Sequence, residues 1–163
     1  MPESWFAIRT RARAEKTVYE QLTRKEIEAF LPTAARWSRW KDRKKMVDWP
    51  LFPGYCFARF DPLVSLTVLT CVGVASIVSF GNQFAEVPDG EIDSLRILVN
   101  STLKYDPAPF LTEGEMVRVT HGPLAGVVGR LIRKGAKARL FLSVDLIGQS
   151  VSAEVDAGDV TAY

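Results

Sequence analysis

The sequence predicts an α+β protein: an N-terminal α/β sandwich on a mainly antiparallel sheet, joined to a small C-terminal β-barrel. Three observations carry this. Residues 55–60, Tyr-Cys-Phe-Ala-Arg-Phe, are too apolar for a strand with one wet face and read as a central strand covered on both sides. Helical periodicity recurs over 14–27 and 90–100, between extended runs. Beyond 112 the chain changes to short β-branched runs separated by glycine-containing turns.

The bulk properties are those of a globular chain. Of 163 residues, 47% are hydrophobic and 25% charged, with a net charge of +2. No apolar run reaches the roughly 18 residues of a membrane helix, and Met1-Pro2-Glu3-Ser4-Trp5 lacks the basic start and apolar core of a signal peptide. Cys56 and Cys71 lie in apolar segments and read as buried free thiols, consistent with a reducing cytosol. A cytoplasmic monomer without membrane contact is the expectation.

Taken in order, Trp5-Phe6-Ala7-Ile8 is the first strand. Thr10 is the expected cap of the helix over 14–27, which buries Val18, Leu22 and Ile27. Glu20 and Arg24 can pair at i,i+4 on its surface. Residues 29–49 read as a hairpin with a basic tip. Between Arg36 and Lys45 it carries six basic residues against one Asp, interleaved with Trp37 and Trp40.

In Pro50-Leu51-Phe52-Pro53-Gly54, neither proline can donate to a ladder, so Leu51 and Phe52 lie just outside the sheet that starts at Tyr55. They are either a core plug or a docking surface. Asp61-Pro62 starts a helix running to about residue 71. A strand over 75–80 and a turn at Gly81-Asn82 follow, and Asp89 caps the helix over 90–100 with Ile92, Leu95, Leu98 and Val99 buried. Residues 104–112, with Pro107 and Pro109, have a linker composition. The division is thus 1–103, a linker at 104–112, and a barrel over 113–163 whose Gly122, Gly126 and Gly129 supply bends.

The stretch Glu113-Gly114-Glu115-Met116-Val117-Arg118-Val119-Thr120-His121-Gly122-Pro123-Leu124-Ala125-Gly126 resembles a KOW motif, the signature of a small SH3-like barrel. Trp5-Phe6 at the start and Leu51-Phe52-Pro53-Gly54-Tyr55 in the middle resemble the NusG N-terminal domain. The likeness covers nearly the whole chain in the family's domain order. It implies a transcription elongation and antitermination factor that binds the clamp coiled coil of bacterial RNA polymerase through an apolar patch. It also implies a KOW domain that recruits a ribosomal small-subunit protein or termination factor Rho.

Phe30-Leu31-Pro32, the basic run 39–45 and Phe80-Gly81-Asn82 with Val87-Pro88 look like the operon-specific RfaH and UpxY branch. Some members of that branch fold this C-terminal domain as a helical hairpin. Here Gly122, Pro123, Gly126, Gly129 and Gly135 oppose that form, since Gly and Pro inside a helix cost about 1 and 3 kcal/mol each, so a permanent barrel is predicted.

The resemblance assigns Trp5, Phe6, Leu51, Phe52 and Tyr55 to the polymerase patch, against the alternative of core aromatics. Phe52 is taken as a partner-facing anchor, so Phe52→Ala is expected to spare the fold and abolish polymerase binding. Ser65 and Thr67 match a segment that touches the opposite polymerase pincer, although here the segment is shorter and less rich in Thr. Arg9, Arg11, Arg13 and Lys16, and the hairpin residues Arg36, Arg39, Lys41, Arg43, Lys44 and Lys45 with Trp37 and Trp40, are either solvated basic faces or contacts to the non-template DNA strand. Phe141 and Ile147 are the candidate partner-facing residues of the KOW domain, or barrel core.

His121 is the single histidine, without a second ligand in metal spacing, and no nucleophile, phosphate loop or CxxC pattern is present. No metal, cofactor or enzymatic activity is expected. The alternative function is a KOW-type RNA-binding or ribosome-associated protein that does not bind polymerase.

Overall fold

The structure, a computed structural model, describes residues 3–40, 43–101, 103–108, 110, 114–134 and 137–163, with backbone only at 36–40, 43 and 134. The N-terminal elements are β1 (Ser4–Thr10), α1 (Glu15–Arg24), β2 (Glu28–Phe30), β3 (Thr33–Trp40), β4 (Arg43–Pro50), β5 (Tyr55–Phe60), α2 (Ser65–Leu69), β6 (Val74–Ile77), β7 (Ser79–Phe80), β8 (Gln83–Phe84), β9 (Glu86–Val87) and α3 (Asp89–Val99). The main sheet runs β2-β5-β1-β6 and is antiparallel throughout, with β9 also on β1. β3 and β4 form a separate hairpin, as do β7 and β8.

Side-chain alternation on the central strands divides the core between the two faces of the sheet. Trp5, Ala7 and Phe57 point to the face covered by α3, where Ile92, Leu95 and Leu98 pack. Phe6, Ile8, Cys56, Ala58 and Phe60 point to the other face, against Val18 and Leu22 of α1 and Val68 of α2. β5 is thus buried on both sides, with Arg59 exposed and Tyr55 half-buried at its start.

The C-terminal strands are β10 (Tyr105–Ala108), β11 (Glu115–Val119), β12 (Val128–Lys134), β13 (Lys137–Val144), β14 (Gln149–Val155) and β15 (Val160–Ala162). They form one antiparallel sheet in the order β10-β14-β13-β12-β11-β15. Its inward residues, among them Val117, Leu131, Leu140, Leu142, Val151 and Ala153, join the cluster that holds Trp5, Phe57 and the buried face of α3. The two sheets therefore share one continuous core, with α3 between them.

Gly129 is where this sheet can take no side chain. A Cβ there would lie 2.6 Å from the Phe141 carbonyl oxygen.

Several sequence expectations change. Thr10 does not cap α1. It ends β1 opposite Val74 and its hydroxyl donates to the Arg11 carbonyl at 3.0 Å, while Ala14 takes the cap position. Asp89 is the first helical residue of α3, not its cap, and Pro88 precedes it. Its carboxylate favours the first turn through the helix dipole.

Asp61 does cap, accepting from the Leu63 amide at 2.9 Å, but it opens a 3-10 turn ahead of α2. Residues 104–112 are not simply a linker, because Tyr105–Ala108 pairs with β14. Pro107 fits there because β10 is an edge strand, where a missing N–H costs no ladder bond.

Candidate polymerase and nucleic-acid interface

The turn between β4 and β5 is held from three sides. The Leu51 amide donates to the Pro32 carbonyl at 2.9 Å, and the Thr10 amide donates to the Gly54 carbonyl at 2.8 Å. The buried Glu15 carboxylate accepts from the Gly54 amide at 2.8 Å. Gly54 has φ +86°, a left-handed conformation that an L side chain rarely adopts. Sequence patterning did not reveal Glu15, because a glutamate in a first helical turn is ordinarily a surface residue.

Leu51 and Phe52 point inward from this turn. Phe52 is 1% exposed and meets Phe57 edge-on, with ring centroids 6.2 Å apart. This corrects the expectation that Phe52→Ala would spare the fold, since the ring is a core component of the free protein. Trp5 shares the same cluster. The Arg96 guanidinium lies 5.0 Å from the Trp5 ring centroid and 5.3 Å from that of Phe30, while pairing with Glu28 at 3.1 Å.

Tyr55 is half-buried on the edge of this cluster. Phe6 is not part of the group. It lies on the opposite face of the sheet, 4.7 Å from the Phe60 ring, because neighbouring strand residues alternate faces. Ser65 and Thr67 also belong to that opposite side, on α2, beside the exposed Leu63 and Leu66.

Arg9, Arg11, Arg13 and Lys16 are all exposed at the β1–α1 junction. Arg9 stands over the Tyr55 ring at 5.9 Å. Arg13 and Lys16 line a shallow cavity of about 590 Å³ with Trp49, Pro50 and Pro53, so the junction and the base of the hairpin form one surface. Trp49 is 48% exposed there and was not among the sequence candidates. Its signal, a tryptophan beside a proline at the end of a polar strand, was available.

Lys44 and Lys45 are exposed on β4. The side chains of Arg36, Trp37, Arg39, Trp40 and Arg43, and the whole of Lys41, lie outside the described residues.

In the C-terminal sheet, Phe141 lines a cavity of about 410 Å³ between α3 and β11–β13, together with Arg118 and Arg130. Ile147 packs against the shared core. The His121 ring nitrogen Nδ1 is 2.9 Å from the Thr120 hydroxyl. Among the described residues no group of three or more His, Cys, Asp or Glu could hold a metal.

Comparisons with known proteins place this architecture. The family model "NusG: Transcription termination factor nusG" matches residues 3–96. The transcription termination/antitermination protein NusG of Helicobacter pylori, in strains J99 and 26695, is 24% identical over 93% of this chain and 93% of its own. A solved structure described as domain interaction in Thermotoga maritima NusG covers 98% of this chain and 97% of its own, with a TM-score of 0.57 and 19% identity, a likeness of fold. Because the matched residues 3–96 make up more than half of the 163, the chain belongs to the NusG family.

Proposed function

We propose that this protein is a transcription elongation and antitermination factor that binds bacterial RNA polymerase at the clamp coiled coil. The observation that carries this reading is the family match over 3–96, which contains the braced Leu51–Tyr55 turn and Trp5. Tyr55 is the accessible docking residue, and Trp5, Leu51 and Phe52 form the buried floor behind it on the α3 side of the sheet. Burying an aromatic ring in a partner groove contributes about 1.5–3 kcal/mol.

Arg9, Arg11, Arg13 and Lys16, with Trp49 beside them, supply cations and a stacking surface for the displaced non-template strand. Ser65 and Thr67 reach the opposite pincer from α2. The units 1–103 and 113–163 act as separable modules, and Phe141 and Ile147 present the second to a ribosomal small-subunit protein or Rho. Operon-specific recruitment, as in the RfaH and UpxY branch, fits the basic hairpin.

Retention of core RNA polymerase on the immobilised full chain tests the reading. Wild type should retain polymerase, and Tyr55→Ala should weaken retention at least tenfold while the thermal transition stays in place. Added salt should release a single-stranded DNA oligonucleotide long before it releases polymerase. No retention by wild type would leave the RNA-binding or ribosome-associated alternative as the better account.

A further inference from the structure

Helix α3 has two working faces. Ile92, Leu95 and Leu98 are buried at i, i+3 and i+6 in the shared core. One position earlier, at the same spacing, Glu91, Ser94 and Ile97 meet the C-terminal sheet. The Ser94 hydroxyl accepts from the Val128 amide at 3.1 Å. Glu91 and Asp145 line the same cavity between α3 and the C-terminal sheet. Ile97 Cδ1 lies within 3.5 Å of where a Gly126 Cβ would stand.

The contact is therefore part apolar and part polar, and one of its polar groups is incomplete. Glu91 Oε1 is buried without a hydrogen-bond partner among the described residues. The charged groups around it are Asp145 after β13, Asp93 on α3, and Arg118 and Arg130 across the cavity on β11 and β12.

We propose that Glu91 is a protonation-controlled latch: its neutral carboxyl holds the C-terminal sheet on α3, and its ionised carboxylate releases it. This rests on the reading of 1–103 and 113–163 as separable modules. An ionised carboxylate with a buried unpaired oxygen facing the Asp145 carboxylate is unfavourable, whereas a neutral carboxyl tolerates the same site. Burial, and then the Asp145 charge, push the Glu91 pKa up from 4.5 to about 7.

The docked form therefore binds the Glu91 proton more tightly than the released form. Docking is strongest below about pH 4.5, weakens as pH rises toward about 7, and levels off above that. Because the carboxyl is only half-buried, the docking constant should fall about tenfold between pH 5 and pH 8, less than the full shift would give.

The test uses the full chain with fluorophores on cysteines placed at the exposed Glu20 and Glu154, since native Cys56 and Cys71 are buried. Single-molecule energy transfer should show one compact population at pH 5 that loses ground to an open one by pH 8. Glu91→Gln should stay compact at both, with unchanged circular dichroism. Asp145→Asn should move the midpoint to lower pH. A wild-type distribution that ignores pH, or a Glu91→Gln variant that opens along the wild-type curve, overturns the latch. Polymerase is absent from this measurement, so its outcome is independent of the polymerase-retention result.

Discussion

Phe52 stands perpendicular to Phe57, with an interplanar angle of 89° and a centroid separation of 6.2 Å. The turn that carries Phe52 is thereby locked onto the central strand, inside the core that α3 and the C-terminal sheet complete.

Replacing Phe52 with alanine removes a fully buried ring. Phe52→Ala should destabilise the protein by about 3–5 kcal/mol, the usual range for a core Phe that leaves a cavity. Urea denaturation measures this directly, and a midpoint within error of wild type would show that the ring is dispensable to the fold. A loss of polymerase binding in this variant therefore needs the Tyr55→Ala comparison before it is assigned to docking.

Glu15 braces the same turn from α1. Glu15→Ala leaves the Gly54 amide without its acceptor at a part-buried site, at a cost of about 1–3 kcal/mol. Hydrogen exchange at the Gly54 amide should speed up well beyond that of the neighbouring β5 amides. Unchanged protection would mean that the Thr10 and Pro32 contacts hold the turn alone.

Gly129 should tolerate no side chain. In Gly129→Ala the new methyl group meets a backbone carbonyl of the adjacent strand, which cannot rotate away, so a loss of about 1–3 kcal/mol is expected. The destabilisation should appear in the thermal transition of the full chain. Wild-type stability in this variant would contradict the register of β12 and β13.

Cys56 is fully buried between the sheet and the helices, and desolvation pushes its thiol up to about pKa 12. Folded protein at pH 8 should be inert to a disulfide reagent at this position, and unfolding in urea should release the thiol. The folded pKa lies above the unfolded value of about 9. The contribution of Cys56 to stability is thus complete below pH 9 and is lost as pH rises toward 12. A Cys56→Ala variant should flatten part of that alkaline decline in a pH series of denaturation midpoints.

Much of this was legible in one dimension. The largely apolar run 55–60 marked the doubly covered strand, the spacing of Ile92, Leu95 and Leu98 marked the buried face of α3, and glycine-punctuated β-branched runs marked the C-terminal sheet. These readings succeed because period and turn chemistry are local properties of the chain. The NusG resemblance was also carried by contiguous residues, and the family match over 3–96 agrees with it.

Tertiary structure decided the rest. Trp5 and Phe6 look alike side by side in the sequence, yet strand alternation sends them to opposite faces. Phe52, at a proline-rich turn, reads as an outward anchor until the sharing of one core by the two sheets shows it buried. Pro107 suggests a linker until an edge position on β14 accommodates it. Glu15, Trp49 and Glu91 acquire their surroundings only from segments tens of residues away: Gly54, the β1–α1 junction and Asp145. Sequence by itself determined most of the helices and strands, though not the strand at Tyr105–Ala108, and the family they compose. Burial, and with it the choice between core and contact surface, was decided by long-range packing, because desolvation depends on what covers a side chain and not on its neighbours along the chain.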